Sequence, residues 1–317
     1  MRKKMGTGMN PGLRPHRFAT SAILASIVVF LCVFTSPPHA TARRGSSVES
    51  LTEGVSELSG PGAPGPLCVF GKNADVLVTG GRSGNESALV AAAPAGRGRI
   101  VAFGHNGYFD REALDTADTA RLMENAIVWC AGTTPTDRAQ IRLATLRGDG
   151  NGAHLSQYLS RNGWRGVELP RKNLTEELAD VDVLCLDPGT LRGEEKEEEI
   201  AAIQRYIESG GGCIAASLGW GWLQLNAPHT IHEHPGNLLL GKYGICWADG
   251  MCGKTSGSGY RVASPSPLVN ASTAFLSLDR QDFQSDGAAQ RQISVTLSMA
   301  AQTVPPSSSW RKRLQRL

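Results

Sequence analysis

Residues 181–222 read VDVLCLDPGTLRGEEKEEEIAAIQRYIESGGGCIAASLGWGW, and this stretch decides the fold. Residues 181–186 form a short run rich in Val and Leu, the mark of a strand buried on both faces. Residues 194–209 follow. Their Ile200, Ile203, Tyr206 and Ile207 recur at helical spacing, and their acidic start suits the positive end of a helix. Gly210, Gly211 and Gly212 stop that helix, and residues 213–217 (CIAAS) are a second buried strand. A strand, a helix of this length and another strand make a parallel crossover unit.

Outward from this unit the pattern repeats. Residues 141–146 predict a strand, and Leu155, Tyr158 and Leu159 one helix face stopped by Gly163. Residues 167–169 predict a short strand. Asn173-Leu-Thr-Glu176 has the form of a capping box. Further upstream, LCVF, VLVTGG, ALVAAA and RIVAF between residues 67 and 103 predict a β-rich N-terminal portion. Leu122, Met123, Ala126, Ile127 and Cys130 predict a helix before Gly132. The expected fold class is therefore α/β, a doubly wound, mostly parallel sheet. In such sheets ligands bind outside the carboxyl ends of the strands. Here those ends carry Asp187 and the run Ser217-Leu-Gly-Trp220-Gly-Trp222, so Asp187, Ser217, Trp220 and Trp222 are the expected binding crevice.

The flanks are different. Basic residues up to Arg17 lead into an uncharged stretch, residues 22–34 (AILASIVVFLCVF), and then Ala40-Thr41-Ala42. This is the layout of an export signal cleaved after Ala42; the alternative is an uncleaved signal anchor. The expected organisation is a signal over 1–42, a Ser/Gly/Pro-rich linker over 43–66, an α/β domain over 67–303 and a basic, unstructured tail over 304–317. The expected localisation is secreted or extracytoplasmic, with membrane contact only if the signal stays uncleaved. The net charge of +3 turns slightly negative without the five basic residues of the first 17, which excludes a nucleic-acid surface. Six cysteines follow the signal; Cys246 and Cys252 could close a small loop, whereas Cys185 and Cys213 read as buried strand residues.

Four blocks occur in an order that resembles the TRP channel-associated factors: residues 55–58 (VSEL), 96–101 (GRGRIV) with His105, 208–222 (ESGGGCIAASLGWGW) and 234–245 (HPGNLLLGKYGI). The resemblance spans residues 50–303. It implies a class I glutamine-amidotransferase-like, or flavodoxin-like, α/β region of the kind that precedes an enhancin-like metallopeptidase domain. It also implies a degenerate site without the cysteine nucleophile. Vertebrate members act on a cold-sensing channel, and related microbial proteins act on glycoproteins. The export signal here argues against a cytosolic channel partner, and the HExxH motif of the peptidase is not in the sequence. A protein or glycan partner is the expectation, with no cofactor. The alternatives are an accessory part of a metallopeptidase, including a truncated gene model, and a serine-based amidase.

A nucleophile of this fold needs a sharp turn after a strand, beside backbone N–H donors. That position falls on or beside Ser217, while Cys213 lies four residues too early. A histidine must reach Ser217 for it to react. The candidates are His229, His232 and His234, with Glu233 beside them, and His105 at the end of the strand RIVAF. His229, His232 and His234 are good zinc ligand types, yet their crowding in one loop also suits a polar surface segment. Residues 80–84 (GGRSG) lack the GK[ST] ending of a phosphate loop. Asn85, Asn173 and Asn270 open N-glycosylation sequons.

Overall fold

The computed structural model describes residues 48–133, 138–280 and 286–314; the expected export signal lies outside them. Five strands come first: β1 (Glu57–Ser59), β2 (Leu67–Val69), β3 (Asp75–Arg82), β4 (Asn85–Ala95) and β5 (Gly98–Phe103). A short α1 (Arg111–Leu114) and the longer α2 (Thr119–Ala131) follow. Then strand and helix alternate: β6 (Arg142–Leu146), α3 (Gly150–Arg161), β7 (Arg165–Leu169), α4 (Leu174–Glu177), β8 (Val183–Leu186), α5 (Lys196–Glu208) and β9 (Gly212–Ala216). The remainder is α6 (Gly219–Leu225), α7 (Pro235–Leu240), β10 (Ile245–Trp247), β11 (Gly259–Arg261), α8 (Ala271–Arg280), α9 (Gly287–Thr303) and α10 (Ser309–Leu314).

Nine strands form one sheet in the order β10-β2-β4-β5-β9-β8-β6-β7, with β3 also paired to β4. Five of them, β5, β9, β8, β6 and β7, run parallel. The fold is thus α/β with a large, mostly parallel sheet. Because strand side chains alternate between faces, one strand feeds two cores. Cys185 and Ile214 face α2 and α3, where Leu122, Ile127 and Leu155 are buried. Leu184 and Cys213, one residue earlier on each strand, face α5 and α7, where Ile203, Ile207 and Leu239 are buried. Each such Leu or Ile contributes about 1.5–3 kcal/mol on leaving water. A third cluster lies under α8 and α9, around Phe70, Cys246 and Ile293.

Four local expectations need correction. The segment read as a linker is built into the domain from residue 48 onward. Leu51 and Leu58 are fully buried, and β1 pairs with β11 through Glu57↔Arg261 and Ser59↔Gly259. Its Gly and Pro residues mask three scattered apolar anchors, Leu51, Val55 and Leu58. The tail read as unstructured carries α10: Leu314 is buried, and Trp310 meets Phe275 edge-on at 5.8 Å. Asn173 forms no capping box: it takes a left-handed conformation (φ 58°), and its side chain makes no cap hydrogen bond. Cys246 and Cys252 do not close a loop: Cys246 stands opposite Cys68 across β10 and β2, and Cys252 lies under the carbonyls of Ser87 and Ala88.

The edge of the sheet at β10 has an unusual partner. The Trp247 N–H donates to Asn237 Oδ1 (2.7 Å), and Asn237 Nδ2 donates to the Trp247 carbonyl (2.9 Å). A buried side-chain amide thus takes the place of a neighbouring strand.

Candidate functional site

The sheet order reverses at β6: the chain steps from β6 outward to β7, then returns to β8 on the other side. At such a reversal the loops diverge and leave a crevice above the strand ends. Four neighbouring parallel strands end there. β5 leads to His105 and Asn106, β9 to Ser217, β8 to Asp187 and β6 to Asp149.

Asp187 is the centre, buried and accepting four hydrogen bonds. Its Oδ1 takes the Gly189 N–H (2.9 Å) and the Ser217 hydroxyl (2.9 Å). Its Oδ2 takes the amides of Asn106 (2.8 Å) and Asn151 (3.1 Å). The Asp187 N–H in turn donates to Asp149 Oδ2 (2.7 Å), and Asp149 Oδ1 caps α3 through Gly152 N (2.9 Å). Burial pushes the Asp149 carboxyl up to about 6, against the pull of those two N–H donors. Gly189 lies close against this group: a Cβ there would be 3.0 Å from Asp187 Oδ1, 3.2 Å from Ser217 Oγ and 3.7 Å from Trp222 Cδ1.

Ser217 has a histidine within reach, and it is His234. Nε2 lies 3.3 Å from Ser217 Oγ. The imidazole is fully buried, stacked on Trp247 and edge-on to Trp222. Burial drives its pKa down to about 3, so the ring is neutral. Nδ1 accepts the Gly236 N–H (3.0 Å), which leaves the single ring proton on Nε2. The donors therefore run one way, from His234 Nε2–H to Ser217 Oγ–H to Asp187. A base would have to accept from Ser217, and this ring donates to it.

The other candidates go elsewhere. His105 Nδ1 caps a short turn through Gly107 N (2.8 Å), and burial lowers its pKa. His232 faces the Thr303 carbonyl (3.2 Å), whereas His229 pairs with Glu233 (2.8 Å) at the surface. Glu233 is held down to about 2, chiefly by the Thr230 N–H. The three histidines of the zinc expectation thus diverge, and among the described residues no three His, Cys, Asp or Glu side chains converge as a metal site. Cys213 lies inside β9 with its thiol pushed up to about 12 by burial. Of the expected crevice, Asp187, Ser217 and Trp222 come together, while Trp220 turns its indole N–H to the Ala63 carbonyl (2.9 Å). Sequence reasoning missed Asn106, Asn151 and Asp149. Asp149 and Asn151 follow the predicted strand 141–146 directly, which was the available signal.

The family described as "TRPM8, N-terminal domain" matches residues 39–264. The TRPM8 channel-associated factor homolog of Danio rerio is 26% identical over 215 residues, covering 67% of this chain and 20% of that protein. TRPM8 channel-associated factor 1 of Homo sapiens is 30% identical over 202 residues, 62% of this chain and 19% of that protein. The chain spans about a fifth of the length of the curated relatives it matches. A solved structure, IMPa from Pseudomonas aeruginosa in complex with an O-glycopeptide, is 16% identical with a TM-score of 0.48, over 79% of this chain and 26% of that one.

Proposed function

This chain belongs to the TRPM8 N-terminal domain family, and from that premise we propose that it is a non-catalytic, exported binding module. Its crevice at the ends of β5, β9, β8 and β6 takes a protein or glycan partner. One observation carries the reading: the Ser217 hydroxyl is locked as a donor to Asp187, with His234 donating to it. The site keeps its polar frame without a histidine base at Ser217. Export rests on the sequence of residues 1–42; among the described residues no helix is long and apolar enough to cross a membrane. The order β7-β6-β8-β9 corresponds to the 2-1-3-4 order of flavodoxin-like sheets, which supports the amidotransferase-like assignment of the domain.

The test is a binding screen of the folded chain against immobilised glycans and soluble ectodomains, run beside Trp222→Ala. A partner bound by the parent and lost by the variant supports the crevice. Equal binding by both sinks it. Turnover of an amide or ester substrate that disappears in Ser217→Ala would sink the non-catalytic reading and favour a serine-based amidase. A second reading, an accessory module of a longer protein such as a metallopeptidase, is favoured by the one-fifth coverage of the relatives. The intact mass of the native protein, detected with an antibody to residues 67–303, separates the two.

A further inference from the structure

The hydrogen bonds at Asp187 fix more than its own position. A carboxylate only accepts, so the amides of Asn106 and Asn151 must both turn their nitrogens toward Oδ2. Their carbonyl oxygens consequently point away from Asp187. Among the described residues nothing is bonded to either oxygen, and both side chains are half-buried at the mouth of the crevice. Two acceptors thus stand beside a buried carboxylate.

The charge around them is one-sided. Asp187 and Asp149 lie on the floor, and Asp110 lies near His105. His234 faces the floor from the segment before α7, His105 after β5 feels the charges of Asp110 and Asp187, and burial keeps both rings toward the neutral form. The cation at the back, Arg171, is already engaged by Glu199, Thr190 and the Arg147 carbonyl. Among the described residues no lysine or arginine bonds to Asp187. Across Gly189 stands the half-buried indole of Trp222, and an indole within reach of a bound cation adds to its attraction.

We propose, building on the binding reading above, that the crevice recognises a cationic side chain of a protein partner, a lysine ammonium or an arginine guanidinium. Its N–H donors meet the Asn106 and Asn151 carbonyl oxygens beneath Trp222. The negative charge of Asp187, solvated by four neutral donors and without a counter-ion, supplies the attraction.

The full chain, labelled with 15N, is titrated with Nα-acetyl-lysine methylamide and Nα-acetyl-arginine methylamide. Nα-acetyl-norleucine methylamide and methyl β-galactoside serve as neutral probes. The side-chain amide signals of Asn106 and Asn151 and the Trp222 indole signal are followed. The expected result is a saturable shift with the cationic probes that weakens as salt rises and no shift with norleucine. Trp222→Ala should lose several-fold in affinity. Asn106→Lys, which brings its own ammonium to Asp187, should abolish the response while the remaining spectrum keeps the folded pattern. A response to the galactoside equal to or stronger than that to lysine overturns the cation and leaves the binding crevice standing. Silence toward all four probes in the folded protein overturns both.

Discussion

His234 Nε2 lies 3.3 Å from Ser217 Oγ as its donor and not as its base. A serine so placed should not react with a serine-directed phosphonate. Intact-mass spectrometry of the treated chain should show no adduct. Ser217→Ala should still weaken the fold, since it removes one of the four donors to a buried carboxylate. A bond to a charged group is worth about 1.5–3 kcal/mol, which urea unfolding would read as a shifted midpoint with an unchanged slope.

Asp149 and His234 pull stability in opposite directions with pH. Burial raises the Asp149 pKa from 3.8 to about 6. The folded state therefore holds this proton more tightly than the unfolded one. That stabilisation is complete below the unfolded pKa and is lost as pH rises through the folded one, an effect of about 3 kcal/mol. Burial lowers the His234 pKa from 6.5 to about 3. Its contribution is present above the unfolded value and drains away as pH falls, by about 5 kcal/mol in all. Between about pH 4 and pH 6 the two offset each other, and below that range His234 acts alone. Urea midpoints across the range should fall more steeply with acid in Asp149→Asn than in the parent. In His234→Gln the acid loss should shrink.

Arg171 ties three segments together. It reaches the Arg147 carbonyl after β6, Thr190 after β8 and both oxygens of Glu199 on α5. Glu199 is 4% exposed, so Arg171→Met leaves a buried carboxylate without its cation. Such a loss costs about 3–5 kcal/mol. The pair Arg171→Met with Glu199→Met should recover most of it, giving a coupling energy of opposite sign in a double-mutant cycle. Additive effects would mean that the ion pair contributes nothing of its own.

All six cysteines of the described residues are buried and free. Burial pushes the thiols of Cys68, Cys213 and Cys252 up to about 12, so the reactive thiolate is scarce. Iodoacetamide should label none of the six in the folded chain and all six after unfolding without reductant. Fewer than six labels in the unfolded chain would reveal a disulfide.

The α/β frame was legible because β8 and β9 are short runs of Val, Leu, Ile, Ala and Cys bounded by Asp, Gly or Ser, and α5 keeps its isoleucines at helical spacing. Those signals are local. Asp187 and Ser217 could be placed at strand ends for the same reason. The partners were not legible, because three-dimensional closure selects them. Sequence alone gives three histidines within six residues and no reason to choose His234. Its choice depends on Trp247 and Trp222 walling it in, and Trp247 lies 13 residues downstream. Asn106 and Asn151 are 45 residues apart and meet only at Asp187. The segment before residue 67 deceived by composition: Gly60, Pro61 and Gly62 suggest slack chain, while Leu51 and Leu58 are held in the core.

The amide of Asn237 against Trp247 also bears on how the molecule behaves in a crowd. An open strand edge is a template on which another copy can add its own strand, the first step of ordered aggregation. At Trp247 both outward backbone groups are already taken by one side chain that has nothing further to offer. The sheet thereby ends at that residue, and growth by strand addition has no foothold there. Asn237→Ala would reopen the template, and the first sign should be turbidity on gentle warming, before the rest of the fold gives way.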